Sequence, residues 1–225
     1  NIKVLKSRSY RASGSKVICV GNITMGGTGK TPVTEYLVRL LKDNYAVCVL
    51  SRGYKRTTSG FVLSSRKSSP RDIGDEPYQI KQKFPDIYVA VDADRCHGIE
   101  RLMADEATKD VQIILLDDAF QHRYVTPGRN ILLTDFHRLI TRDKILPEGR
   151  LRESPNGKER ANMVIVTKCP KDLLPMQYRI IAKISIAMKT TYIIVFCSNT
   201  IQRFLFTLTC SLSILLSKVL NMFYK

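Results

Sequence analysis

Acidic residues are scarce in this chain. Its 225 residues carry 20 Asp and Glu against 36 Lys and Arg, a formal net charge of +16. That imbalance favours a polyanionic partner: nucleic acid, anionic lipid headgroups or a phosphorylated substrate. The basic residues are scattered rather than gathered into a tail, which argues against a basic arm wrapping nucleic acid. No pair of the six cysteines has C-x-x-C spacing, so the spacing predicts neither a zinc nor a redox site. Cys19 and Cys48 sit inside apolar runs, where a cysteine acts as a small hydrophobe, and a reduced cytosolic setting fits. Residues 1–16 are basic and polar without an apolar centre, so no signal peptide is expected. The chain begins with Asn rather than Met, and a preceding N-terminal piece is expected. From Thr190 to Lys225 there is no Asp, Glu, Gly or Pro. Within that stretch Phe204–Ser217 has no charge, yet it is shorter than the ~20 residues a membrane-spanning helix needs. An interfacial helix, a poor transmembrane segment and sequence foreign to the fold are its three readings.

What is present is concentrated at Gly21–Pro32, GNITMGGTGKTP. The segment follows the apolar run Val17–Val20 and precedes a helical pattern, Val33–Lys42. Strand, glycine-rich turn and helix, in that order, form a phosphate cradle of backbone N–H groups at a helix N-terminus. Lys30 would reach the β- and γ-phosphates and the Thr31 hydroxyl would ligate Mg²⁺. The pattern G-x-x-x-x-G-K-[ST] wants Gly at position 24, where this chain has Thr24.

Apolar runs at 17–20, 46–50, 87–91, 111–116, 130–134 and 163–167 read as strands, with 60–64 as a possible short one. Helical patterns at about 32–42, 77–83, 98–108 and 173–188 alternate with them, and 65–72 reads as loop. The alternation predicts an α/β fold, a P-loop NTPase-like three-layer arrangement with a mostly parallel sheet flanked by helices. Residues 1–189 are predicted to form the nucleotide-binding domain, with 190–225 an atypical tail. Ligands bind such sheets at the carboxyl ends of the strands, and the polar clusters fall there.

Asp117-Asp118 ends the 111–116 run, where an acid orders Mg²⁺ opposite the Lys-Thr hydroxyl. Asp75 and Glu76 are candidates for accepting a substrate hydroxyl proton; alone, Gly74-Asp75-Glu76-Pro77 is equally a helix start with Asp as N-cap. His122 is a proton relay, a hydrogen-bond donor or a surface histidine. Arg95, Arg150 and Arg152 are phosphate clamps or surface arginines. Thr167-Lys168-Cys169-Pro170 resembles the guanine-reading Asn/Thr-Lys-x-Asp, but Pro170 stands where Asp is needed. No acid-x-x-Gly follows Asp117 either, so a regulatory GTPase is not expected.

Six motifs in order complete the picture: GNITMGGTGKTP, SRGYKR at 51–56, GDEP at 74–77, DADR at 92–95, DDAFQH at 117–122 and LPEGRLRE at 146–153. Together, over roughly residues 1–189, they resemble the tetraacyldisaccharide 4'-kinase family of lipid A synthesis in Gram-negative bacteria, in which Thr is usual at the position of Thr24. The resemblance implies ATP-dependent phosphorylation of the 4'-hydroxyl of a tetraacylated glucosamine disaccharide 1-phosphate, giving lipid IVA. It implies ATP and Mg²⁺ as cofactors. Thr24, Met25, Gly26, Gly27, Thr28, Gly29, Lys30 and Thr31 would hold the ATP phosphates, and Tyr54 would border the nucleotide. Thr31 and Asp117 would lie at Mg²⁺ with Asp118 close by. Asp75 would be the catalytic base, supported by Glu76, Arg95, His122 and Arg150. The partner implied is an anionic glycolipid at the cytoplasmic face of the inner membrane, met peripherally, with neither nucleic acid nor a protein partner.

Two features depart from the family. Its apolar, membrane-associating N-terminal segment is not seen. Its Asp-His-His motif, which supports the catalytic base, is missing too, since the three histidines are His97, His122 and His137. A frameshift or premature end near residue 189 is the expectation, and an ATP-binding but inactive fragment is the alternative it leaves. A P-loop ATPase of another class is a further alternative. Partitioning and metal-insertion ATPases carry a second lysine early in the loop, absent at 24–27.

Overall fold

A computed structural model describes residues 8–9, 16–170, 172–188, 192–197 and 200–205. By its contacts the chain forms two compact units, and it passes between them at both ends of the loop Ile23–Gly29.

The first unit comprises residues 1–22 and 30–130. Its elements are β1 (Arg8–Ser9), β2 (Lys16–Gly21), α1 (Lys30–Leu41), β3 (Val47–Ser51), β4 (Val62–Leu63), α2 (Pro70–Ile73), α3 (Asp75–Lys83), β5 (Tyr88–Val91), α4 (Arg95–Ala104), β6 (Ile113–Asp117) and β7 (Val125–Thr126). Five strands lie in the order β2-β6-β3-β5-β4. The first four are mutually parallel, and β4 closes the edge antiparallel to β5. β1 pairs separately with β7. β3 and β6 are buried at every position, as unbroken apolar runs covered on both faces must be. α1 buries Val33, Leu37, Val38 and Leu41, a spacing that keeps one stripe inward. Pro32 sits in its first turn, where a missing N–H costs nothing.

Register places the chemistry. Val20 of β2 lies beside Asp117 of β6. The strand that feeds the glycine-rich loop and the strand that carries the acids therefore end at the same level.

The second unit comprises residues 23–29 and 131–225. It contains most of β8 (Arg129–Asp135), then β9 (Met163–Thr167), α5 (Pro175–Met188), β10 (Tyr192–Cys197) and β11 (Thr200–Leu205). β8, β9 and β10 run parallel, and β11 returns antiparallel to β10. Part of the acid-free tail is therefore β structure. Beyond Leu205, the stretch read as an interfacial or poor transmembrane segment lies outside the described residues.

The predicted strands and helices recur with ends shifted by a few residues. Ser65–Asp72 is not all loop: Pro70–Ile73 forms one helical turn, in which Asp72 accepts hydrogen bonds from the Ser69 N–H and hydroxyl. Among the described residues no helix is long and apolar enough to cross a membrane.

Leu115, fully buried in β6, and Leu174, 64% exposed, give a contrast. Leu115→Ala should cost about 2–5 kcal/mol in urea unfolding, whereas Leu174→Ala should stay within about 0.5 kcal/mol of the parent.

Candidate functional site

In the first unit the site is built around the end of β6. Asp117 is 1% exposed. Its Oδ1 accepts a hydrogen bond from the Thr34 hydroxyl of α1 at 3.0 Å. Burial pushes its carboxyl up from the ordinary carboxylate range to about 6. The negative fields of Glu76 and Asp118 add to the rise, while the Thr34 hydrogen bond and the Lys30 ammonium oppose it. Asp118 follows with a positive φ of 47°, a conformation Asp tolerates better than most residues. Its carboxylate is exposed and stands 3.5 Å from the Lys30 ammonium. Lys30 and Thr31 open α1. Lys30 and Thr31 on α1 and the two acids at the end of β6 thus belong to adjoining elements.

Arg95 lies within the same unit, 3% exposed at the start of α4. Its guanidinium donates to the Asp92 carbonyl at 2.6 Å and to the Asp117 carbonyl at 3.3 Å. Burial lowers its pKa, with Asp117 opposing. It braces the chain at the ends of β5 and β6 rather than standing as an open clamp. Asp94 caps α4 through Cys96 N and His97 N, and buried Asp92 meets His97 Nδ1 at 2.6 Å. His122 is half-buried, and burial, then Arg95, holds its imidazole below the usual pKa.

Asp75 and Glu76 occupy the first turn of α3, both exposed. The N-cap is Gly74, with no side-chain cap hydrogen bond, so the alternative of Asp75 as N-cap does not hold. Gly74 has φ 92°, and a Cβ there would lie 3.0 Å from the Tyr54 carbonyl and 3.2 Å from Gly53. SRGYKR and GDEP therefore touch through backbone, and only glycine permits it. Tyr54 itself is 71% exposed. α3 is tied to α1 through Glu35, which accepts from Arg39, Gln79 and Lys83. Glu35 thereby joins the middle and the last residue of α3 to α1.

The loop Ile23–Gly29 belongs to the second unit and is held there on two sides. Thr24 forms an antiparallel bridge with Leu151. Met25 N donates to the Arg150 carbonyl at 2.7 Å, and Arg152 N to the Ile23 carbonyl at 2.8 Å. The exposed Arg150 guanidinium lies 3.9 Å from where a Cβ on Gly26 would be. On the other side the Thr167 hydroxyl donates to the Thr28 carbonyl at 2.8 Å and lies 3.2 Å from the Thr134 carbonyl. Gly29, at φ 75°, packs against Thr167. Met25, Gly26 and Gly27 stay exposed while Thr24 and Thr28 are buried, so the loop is anchored at its flanks and open at its tip.

Sequence reasoning missed Thr34, Glu35 and Thr167. Thr167 stands in the Thr-Lys-Cys-Pro run examined for guanine recognition; its hydroxyl latches the glycine-rich loop instead. A Thr at a strand's carboxyl end was the available signal. Thr34 and Glu35 carried none beyond being polar on an apolar helix face.

A buried carboxyl that titrates near 6 has a consequence for stability. The folded protein holds this proton more tightly than the unfolded chain, whose Asp titrates near 3.8. The stabilising contribution of protonated Asp117 is present below about pH 4 and is lost as pH rises through 6. At about 1.4 kcal/mol per pK unit, Asp117→Asn should be more stable than the parent by roughly 1–3 kcal/mol at pH 8 without Mg²⁺ or nucleotide. The gap should close at pH 4. Urea midpoints for the two proteins at both pH values measure it; equal midpoints throughout would contradict it.

Comparison with known proteins bears on this arrangement. A family model for tetraacyldisaccharide-1-P 4'-kinase matches residues 3–200. A tetraacyldisaccharide 4'-kinase of Phocaeicola vulgatus is 64% identical over 167 residues, 74% of this chain and 46% of the relative. One of Bacteroides thetaiotaomicron is 60% identical over 179 residues, 80% of this chain and 46% of the relative. The crystal structure of LpxK from Aquifex aeolicus, an "apo" form in complex with ATP, aligns with TM-score 0.63 at 37% identity over 72% of this chain and 50% of that one. The chain spans about half the length of the curated relatives it matches. Its fold is α/β of the same kind, with a mostly parallel sheet and flanking helices, and by the family model and these relatives the chain belongs to the tetraacyldisaccharide-1-P 4'-kinase family.

Proposed function

We propose that this chain is the nucleotide-binding part of a kinase that transfers the γ-phosphoryl group of ATP to the 4'-hydroxyl of a tetraacylated disaccharide 1-phosphate. The observation that carries the reading is the cluster at the end of β6. Buried Asp117 is fixed by Thr34, and Asp118 stands 3.5 Å from Lys30, at the first residue after a glycine-rich loop.

The donor set fits Mg²⁺. Two carboxylates and the Thr31 hydroxyl are hard oxygen ligands, and burial makes Asp117 costly to ionise unless a cation answers it. Bound there, Mg²⁺ would neutralise charge on the phosphate oxygens. The remaining roles fall to protein groups. Backbone N–H groups of Thr24–Gly29 cradle phosphate, and Lys30 leaves its pairing with Asp118 to meet the β- and γ-oxygens. Asp75 accepts the proton of the attacking hydroxyl from the exposed first turn of α3, with Glu76 beside it. Arg95 and His122 support the acid-bearing strand end and the acceptor. Arg150 reaches the open face of the loop, and Tyr54 borders the nucleotide. The net charge of +16 suits an anionic glycolipid and peripheral contact with the anionic cytoplasmic face of an inner membrane.

Phosphoryl transfer from Mg·ATP to the tetraacyl disaccharide 1-phosphate tests the reading. Asp75→Ala should lower turnover at least about a hundredfold with little change in ATP binding, whereas Lys30→Ala should lose both. Product formation unaffected by Asp75→Ala would refute the assignment of the base. ATP binding indifferent to Lys30→Ala would refute the phosphate site.

A further inference from the structure

Beside the acids at β6, a second cluster of ligand-type side chains lines a cleft of about 730 Å³, bounded by Ala93, Asp94, Cys96, His97, His122 and Tyr124 among others. One ligand atom from each of Asp94, Cys96 and His122 lies within 4.8 Å of the other two. We propose that Asp94, Cys96 and His122 form a binding site for a borderline-soft divalent metal, Zn²⁺ or Co²⁺, separate from the hard-oxygen site of Asp117 and Asp118.

Four observations support it. The ligand chemistry is mixed: one sulfur, one imidazole nitrogen and one carboxylate oxygen suit Zn²⁺ and Co²⁺ and not Mg²⁺. His122 Nε2 is buried without a hydrogen-bond partner, which for an imidazole nitrogen is a cost a metal would remove. Asp94 is held in place by its own cap, accepting from Cys96 N and His97 N through Oδ1, and a carboxylate keeps lone pairs for a further ligand role. Cys96 is a buried thiol whose Sγ donates to the Tyr124 carbonyl at 3.5 Å; binding exchanges that contact for a metal–thiolate bond and releases the thiol proton to solvent. In a tetrahedral zinc site, bond lengths of ~2.0–2.3 Å bring ligand atoms to within roughly 3.8 Å of one another. Side-chain movement of about an ångström would close the site, with the cleft side left for a fourth ligand, water or Glu100. The buried Arg95 guanidinium donates to the Asp92 and Asp117 carbonyls.

The spacing of the cysteines in sequence predicts no such site. It exists because the loop after β6 returns His122 to the N-terminus of α4.

The test reads metal binding, so it stands or falls apart from the kinase reading. Co²⁺ is titrated into the reduced full chain and followed by absorption. The expected result is a thiolate-to-cobalt charge-transfer band with tetrahedral d–d absorption, displaced by Zn²⁺ and retained in excess Mg²⁺. Cys96→Ser should abolish the charge-transfer band, and Asp94→Asn, which keeps a capping side chain, should weaken Co²⁺ binding about tenfold or more. Cys48→Ser, at a fully buried thiol in β3, should leave the band intact. Absence of the band in the parent protein, its survival in Cys96→Ser, or unchanged affinity in Asp94→Asn would each overturn the assignment.

Discussion

A carboxylate taken almost wholly out of water is the constraint to which the first unit is built. Asp117 ends a strand of five buried residues, and ionising it there is expensive unless hydrogen bonds and a cation answer the charge. The surroundings supply part of that answer. Thr34 donates to it, Lys30 lowers its pKa, and Arg95 is braced on its backbone carbonyl. The neighbouring acids Glu76 and Asp118 work in the opposite direction. A cluster arranged in this way is poorly optimised as a structural element.

The glycine-rich loop meets a different requirement. Its tip is open to solvent, yet its path is fixed. The flanks do the fixing: a bridge and two backbone hydrogen bonds to the 150–152 segment on one side, the Thr167 hydroxyl on the other. This explains the role of LPEGRLRE better than any single arginine does. The segment's backbone at Arg150, Leu151 and Arg152 carries the contacts, whatever the side chains later bind.

Polar side chains on apolar elements recur as positioning devices. Glu35, 5% exposed on α1, gathers Arg39, Gln79 and Lys83 and so ties the middle and end of α3 to α1. Asp92, equally buried, fixes His97 and the turn into α4. Each would cost stability if left alone; paired, each secures an element that carries candidate site residues.

The chain's own order of residues determined the elements and the chemistry. Unbroken apolar runs become buried parallel strands, a 3.6-residue stripe becomes α1, and Lys-Thr after glycines marks a phosphate cradle, because these signals are local. It also located Asp117, Asp118, Asp75, Glu76, Arg95 and His122 at strand or helix ends. Only the tertiary structure decided which groups share a neighbourhood and in what state. Strand order sets β6 between β2 and β3 with Val20 beside Asp117; burial then raises that carboxyl, and a helix face delivers Thr34 to it. Arg95, legible as a clamp or a surface arginine, is a buried brace, and Thr167, legible only in a run that resembles a guanine-reading motif, is a latch. Long-range contacts have no signature in spacing along the chain, since hydrogen bonding and desolvation depend on distance in space.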